Sequence, residues 1–222
     1  MPLKIDLHMH THYSEDATTT LKQVVQYAKK RGLEGVAITD HNTVRGALRL
    51  TRQENLVVIP GMEIETAKAH VLALNIKGPF RRHFNRASTL SEVIEDIHEA
   101  GGIAVIAHPV AVLKSAMGSK IPSGIKLDAV EVMNSAVFPF FLSTYLSKRL
   151  AQQLRLPQTA GSDSHHPQEI GKAYTLIDAD SNVDDVIVAI KKEKTIPCGK
   201  PISWIMRIER GASGVREALR HY

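Results

Sequence analysis

Two histidines one residue apart, His8 and His10, open a series of imidazoles and carboxylates set at the ends of short apolar runs. The first run reads KIDLHMHTHYSED and brings Asp16 close behind. GVAITDH closes on Asp40 and His41, VVIPGMEIE carries Glu63, AHVLALNI begins near His70, GIAVIAHP ends near His108, and TAGSDSH supplies Asp163 and His165. Neutral imidazole and ionised carboxylate are the ligands that hold hydrolytic divalent cations. Alternate residues of a strand share a face, so His8 and His10 can chelate one ion. Glu63 can bridge two, because its oxygens face different directions. His70 and His108 add neutral donors, Asp16 and His41 fall on neighbouring loops, and Asp163 and His165 alternate as the first pair does. Each residue alone has an ordinary explanation as a hydrogen-bonded histidine, a turn aspartate or a solvated glutamate. Gathered without cations, such a buried cluster would carry heavy desolvation and repulsion costs.

Positioning these groups requires a regular succession of strands. Strand-like runs at Lys4–His8, Gly35–Thr39, Leu56–Ile59, Met62–Glu65, His70–Ile76, Ile103–Ala107, Ala129–Met133, Gln158–Ala160 and Tyr174–Ile177 alternate with helical patterns. The helices are expected over Leu21–Arg31, Thr43–Glu54, Leu90–Ala100, Phe140–Gln153 and Val183–Lys192. A threonine among Thr18, Thr19 and Thr20 can cap the first helix, and Gly32 ends it. Such alternation implies a parallel sheet. Because the polar endings must converge, the reading is a closed barrel with its site at the C-terminal ends of the strands. Lys77–Thr89 and Val110–Lys126 read as irregular loops that could wall a substrate. The tail from Ile196 reads as a last strand and a capping helix, with no chemistry assigned.

At 222 residues and 43% hydrophobic content, the chain can bury the core of one domain, 1–222. No stretch of about 18 apolar residues is present, so no membrane span is expected. The polar start argues against an export signal. Cys198 is the single cysteine, which excludes an intrachain disulfide and suits a cytoplasmic location. The net charge of +5 and pI of about 9.3 fit either a solubilising surface or anionic partners.

DLHMHTHYSED, ITDH, GMEIET, AHP and GSDSH, running from Asp6 to His165, resemble the successive motifs of the PHP (polymerase and histidinol phosphatase) family. The resemblance implies a distorted (β/α)7 TIM-like barrel, a trinuclear metal centre and phosphoesterase activity. By motif, His8, His10, Glu63 and Asp163 would hold a first ion. Glu63 would bridge to a second, completed by His70 and His108. Asp16, His41 and His165 would hold a third. Zinc, manganese and iron all suit this donor set.

The reaction so implied is hydrolysis of a phosphate ester by a metal-bridging hydroxide. Asp40, Glu63 and Asp163 are the expected catalytic carboxylates, with Asp40 either delivering a proton to the leaving oxygen or orienting a ligand histidine. Arg45, Arg81, Arg82, Lys114 and His166 are candidates to grip phosphate. Glu131 and Asn134, from EVMNS, are expected to touch substrate or support the ligands. The substrate reads as a nucleotide, an oligonucleotide end or a small phosphorylated metabolite such as histidinol phosphate; nucleic acid stays open as a partner. A non-catalytic module associated with nucleic-acid metabolism is the alternative. A carbon–nitrogen amidohydrolase ranks behind both, since no carboxylated-lysine motif is evident.

Overall fold

The computed structural model describes residues 1–50, 56–76, 87–111, 115–116 and 124–210. In chain order the elements are β1 (Leu3–Asp6), α1 (Leu21–Arg31), β2 (Gly35–Ile38), α2 (Arg45–Leu50), β3 (Val57–Glu65), β4 (His70–Leu74), α3 (Leu90–Glu99), β5 (Ile103–Ala107), a short hairpin of β6 (Val110–Ala111) and β7 (Ser115–Ala116), β8 (Ala129–Asn134), α4 (Phe140–Leu154), β9 (Gln158–Gly161), a 3-10 turn (Pro167–Glu169), β10 (Ala173–Ile177), α5 (Val183–Lys191) and β11 (Thr195–Gly199). A further helical segment covers 204–210.

The main sheet runs β11-β10-β1-β2-β3-β4-β5-β8-β9. Its β9 end returns to β1 at the site's mouth. Ser164, just past β9, bridges Met9, just past β1. Asp163 N–H donates to the His8 carbonyl (2.7 Å), and His10 N–H to that of Ser164 (2.8 Å). This seam nearly closes the barrel. Gly161 is required there, since a Cβ would stand 2.3 Å from the His8 Cβ.

The barrel departs from a strict (β/α)7 repeat. β4 runs antiparallel to both β3 and β5, so no crossover helix separates β3 from β4. β3 is also one continuous strand, where the Pro60–Gly61 pair suggested a break. Gly61 lets β4 approach, for a Cβ would meet the Ala73 carbonyl at 2.7 Å. β10 and β11 form an antiparallel flap outside the seam, tied to β9 by Thr175 and Thr195 hydroxyl hydrogen bonds.

Period-two alternation divides the core. Ile5, Ala37, Ile59, Leu72, Leu74, Ile103, Val105 and Ala129 belong to one cluster, to which α5 adds Val186, Ile187 and Ile190. Met62, Ile64, Val71, Ile106 and Val130 pack with α3. Val36, Ile38 and Val58 pack with α1 and α2. A fully buried side chain of this size contributes about 1.5–3 kcal/mol. Capping boxes at Thr20 and Thr89 start α1 and α3, and Gly32 at φ 62 ends α1.

Candidate metal centre

Glu63 lies at the middle of the mouth, 1% exposed, with His70 and His108 on Oε1 and His8, His10 and His41 (Nδ1 at 3.4 Å) on Oε2. Oε2 stands 3.3 Å from His8 Nε2 and 3.2 Å from His10 Nε2. Oε1 stands 2.9 Å from His70 Nδ1 and 3.2 Å from His108 Nε2. His70 begins its strand rather than ending it. Because β4 is antiparallel, that beginning faces the same mouth as the ends of β3 and β5. Asp163 Oδ1 is 3.4–3.6 Å from His8, His10 and His165. At the open edge, Asp16 Oδ2 lies 3.0 Å from His165 Nε2 and 3.4 Å from His41 Nε2. His41 enters by a backbone bridge to Glu63. The nine residues expected as ligands are therefore adjacent in space. His108 and Asp163 adopt positive φ (30° and 51°), which turns the chain sharply at both strand ends.

The donor chemistry fits divalent cations. Two ligand atoms at about 2.1 Å from one ion, roughly 90–110° apart, are separated by about 3.0–3.4 Å, and the distances around Glu63 fall in or close to that range. More decisive is His8 Nε2 facing His10 Nε2 at 3.3 Å. The opposite nitrogen of each ring is already committed. Glu131 Oε1 accepts from His8 Nδ1 (2.9 Å). Ser14 Oγ gives its one hydrogen to Asp40 Oδ1 (3.1 Å) and so can only accept from His10 Nδ1 (3.3 Å) and from the His41 N–H (3.0 Å). Two lone pairs are thereby aimed at each other, an arrangement that calls for a shared proton or a cation between them. His41 Nδ1 is likewise buried without a well-formed hydrogen bond, 3.4 Å from Glu63 Oε2 and 3.6 Å from Glu65 Oε1.

Electrostatics tell the same story. Burial alone would lower the His10 imidazole, but hydrogen bonds to Asp163 and Glu63 push it up to about 9. Burial also opposes charge on His8 and His108, and the surrounding carboxylates overcome it, raising both. Burial would raise Glu63 and Asp163, yet the His8 charge and the neighbouring imidazoles hold both well below the carboxylate range. His165 is lowered by burial and by the charge of His10. Acids are held ionised, and protons are collected where cations would sit.

Behind this ring the structure corrects several expectations. Asp40 is fully buried and faces away from the mouth. It accepts from the Thr11 N–H (2.6 Å), the Thr11 hydroxyl and the Ser14 hydroxyl, so it shapes the loop after β1 and steadies His10 through Ser14. Gly46 makes room for it, because a Cβ there would stand 2.2 Å from Asp40 Oδ2. Glu131 and Asn134 are also buried, which removes them from contact with substrate. Glu131 Oε2 accepts from the His108 N–H and Asn134 Nδ2 (2.9 Å each), and Asn134 reaches Asp163 Oδ2 (3.3 Å). Together they tie three expected ligands into one frame. Arg45 is exposed at the rim over the Tyr13 ring, and His166 Nδ1 pairs with the Thr18 hydroxyl (2.9 Å). Arg81, Arg82 and Lys114 lie outside the described residues.

Two supports escaped the sequence reading besides Ser14. Asp6 accepts N–H groups of Ser162 (2.8 Å), Gly171 (2.8 Å) and His8 (3.3 Å), stapling the seam. Glu169, 1% exposed on its side chain, accepts from the His165 N–H and from Arg210 of the helix 204–210, each at 2.9 Å. Arg210 also donates to the Asp163 carbonyl and abuts His165 Nδ1. The HYSED run already contained Ser14, but nothing local pointed to Arg210.

The PHP domain family matches residues 6–114, and the PHP-associated family matches residues 144–195. An uncharacterized protein of Methanocaldococcus jannaschii is 34% identical over 146 residues, covering 60% of this chain and 82% of that protein. The chain belongs to the PHP family. A phosphoribosyl 1,2-cyclic phosphate 1,2-diphosphodiesterase of Eggerthella lenta is 30% identical over 115 residues, 42% of this chain. The chain matches 44% of that enzyme, less than half its length. Among solved structures, a two-domain protein of Bacteroides vulgatus containing a predicted PHP-like metal-dependent phosphoesterase superposes with TM-score 0.71 at 16% identity. It covers 90% of this chain and 65% of the other, a likeness of fold.

Proposed function

We propose that this PHP protein is a metal-dependent phosphoesterase whose whole described chain acts as one barrel unit. The observation that carries the reading is the placing of imidazoles on both oxygens of Glu63, with His8 Nε2 and His10 Nε2 aimed at each other. His8, His10, Glu63 and Asp163 would hold one divalent ion, Glu63 with His70 and His108 a second, and Asp16, His41 and His165 a third. Bound there, such ions supply Lewis-acid activation of water and neutralisation of phosphoryl charge. The protein's own groups do the rest. Glu131 and Ser14 keep the two central imidazoles in the tautomer that presents Nε2. Asp163 Oδ1, held ionised among three imidazoles, would offer its charge to the first ion. Asn134 keeps the other oxygen, Oδ2, turned aside. The half-exposed Asp16 marks the side from which an ester enters.

No helix among the described residues is long and apolar enough to cross a membrane, and the substrate of this reading is a phosphate ester in water. Metal analysis and turnover of p-nitrophenyl phosphate and bis(p-nitrophenyl) phosphate test it. Bound Mn or Zn with turnover, both lost in His8→Ala while the fold survives, is the expected result. A protein that binds no metal and hydrolyses neither ester would instead be an accessory module.

A further inference from the structure

An outer helix of such a barrel buries its apolar stripe and leaves a polar face to water. α4 departs from this. Its buried side includes Ser143, Ser147 and Ala151, whereas Phe141 (78% exposed), Leu142 and Tyr145 stand in solvent. Phe141 and Leu142 both neighbour Tyr145, one turn on. The helix 204–210 repeats the anomaly. None of its residues is buried, and Trp204 (66% exposed), Ile205 and Ile208 are open along it. Phe138, two residues before α4, brings the two helices side by side, meeting Trp204 edge-on with centroids 5.2 Å apart. Arg207 ties the junction by donating to the Ala136 (2.8 Å) and Val137 (3.2 Å) carbonyls.

At about 150–250 Å² for a large side chain, half to three-quarters exposed, these seven residues present on the order of 800 Å² of apolar surface. The largest patch on a monomer is about 300–600 Å². A stable pair of proteins buries about 800 Å² on each partner. The composition agrees, because aromatic side chains and arginine gather at the centre of such an interface while acids are depleted, and α4 holds no Asp or Glu. An anionic partner would need the arginines free. Here Arg207 is committed to the two carbonyls and Arg149 to the Tyr145 hydroxyl (3.2 Å), which leaves rings and aliphatic chains as the outward face.

A helix gains most of its stability by packing an apolar face. With none of its residues buried, the helix 204–210 is held to its own barrel by the hydrogen bonds of Arg207 and Arg210. Arg210 is the group that reaches the Asp163 carbonyl, His165 Nδ1 and Glu169. Whatever covers Trp204 and Ile208 therefore also secures Arg210.

We infer that this face docks a second copy of the chain, and that the pair clamps the helix 204–210 so that Arg210 stays on the Asp163–His165 loop. The pairing does not rest on the phosphoesterase reading, so a pair that turns over no ester sinks that reading alone. Sedimentation of the full chain at micromolar concentration should give twice the 24.5 kDa chain mass. Phe141→Asp and Ile208→Asp, one on each helix, should each weaken the pair about 30-fold or more, since either buries an unpaired charge. Both positions are exposed in the single chain, so both variants should keep their circular dichroism. Trp204 is the single tryptophan, and its emission should shift to the red as the unaltered chain is diluted. In Ile208→Asp the amides of 162–169 should exchange faster with deuterium, while those of β3 should not. A full chain that sediments as a monomer overturns the inference. Binding of that monomer to phosphatidylglycerol vesicles would assign the face to a lipid surface, and a change of Trp204 emission on deleting 211–222 would assign it to the chain's own end. A dimer that both variants leave intact overturns it too, by placing the interface elsewhere. Dissociation in both variants with unchanged exchange at 162–169 keeps the docking face and overturns the clamp.

Discussion

Ser14 shows how much one hydroxyl can decide. Its hydrogen goes to Asp40 and its lone pairs accept from His10 and His41, which leaves Nε2, facing Glu63, as the His10 nitrogen that gains or loses the proton. Replacing a group that orients a ligand histidine costs about 10–100-fold in metal affinity. Ser14→Ala should show that loss in a competition titration with a chelating dye, with little change in the fold. Asp40→Asn separates the two roles considered for that residue. As a buried acceptor of Thr11 and Ser14 donors, it should cost about 1–3 kcal/mol of stability in denaturant unfolding while the turnover of folded enzyme persists. Loss of turnover in a stable, metal-loaded Asp40→Asn would restore it as a proton donor. The clustering of these residues was legible in the sequence because imidazoles and acids recur where apolar runs stop. Of the two roles read for Asp40, the link through Ser14 to His10 fits the orienting one, and that link joins two loops that no local pattern brings together.

At the scale of elements, helix limits were readable from local chemistry. The Thr20 and Thr89 boxes and Gly32 are encoded within a few residues of the ends they set. The sheet was less so. Pro60–Gly61 has turn composition, yet β3 passes straight through because Gly61 admits β4. The direction of β4 depends on pairings with β3 and β5 that no local pattern states. The β9–β1 seam is of the same kind and carries the sharpest test. A methyl at Gly161 would press on the His8 Cβ at 2.3 Å and the His8 nitrogen at 2.7 Å, both at the base of the central imidazole. Overpacking of this sort costs about 1–3 kcal/mol. Gly161→Ala should therefore lower the thermal midpoint by several degrees, at about 2–4 °C per kcal/mol for a chain of this length. It should also reduce bound metal per chain, measured below the transition. Normal metal content in a destabilised Gly161→Ala would mean that the seam holds the barrel without placing His8.

For the whole molecule, the metal centre makes stability depend on pH in opposite ways with and without cations. In the metal-free protein His10 titrates at about 9 instead of 6.5, and His8 and His108 are raised too. The stability gained from protonating them is complete below 6.5 and is lost as pH rises through about 9. Glu63 and Asp163 are depressed from 4.5 and 3.8, so their contribution is present above those values and disappears only in acid. The metal-free cluster therefore favours folding most between about 4.5 and 6.5. For His10 alone the later loss approaches 3 kcal/mol as an order of magnitude. Cations compete with the same protons, so their binding strengthens over the interval in which the metal-free fold weakens. Asp6, pushed up to about 6 by burial, loses its own contribution between 3.8 and 6 in both forms, so it largely cancels in their difference. The thermal midpoint of Mn-loaded protein minus that of chelator-treated protein should accordingly widen from pH 6 to pH 9, by on the order of 10 °C. A gap that stays constant across this range would show that the imidazoles hold no protons for the metal to displace, and the reading of the cluster as a store of protons that cations empty would fall with it.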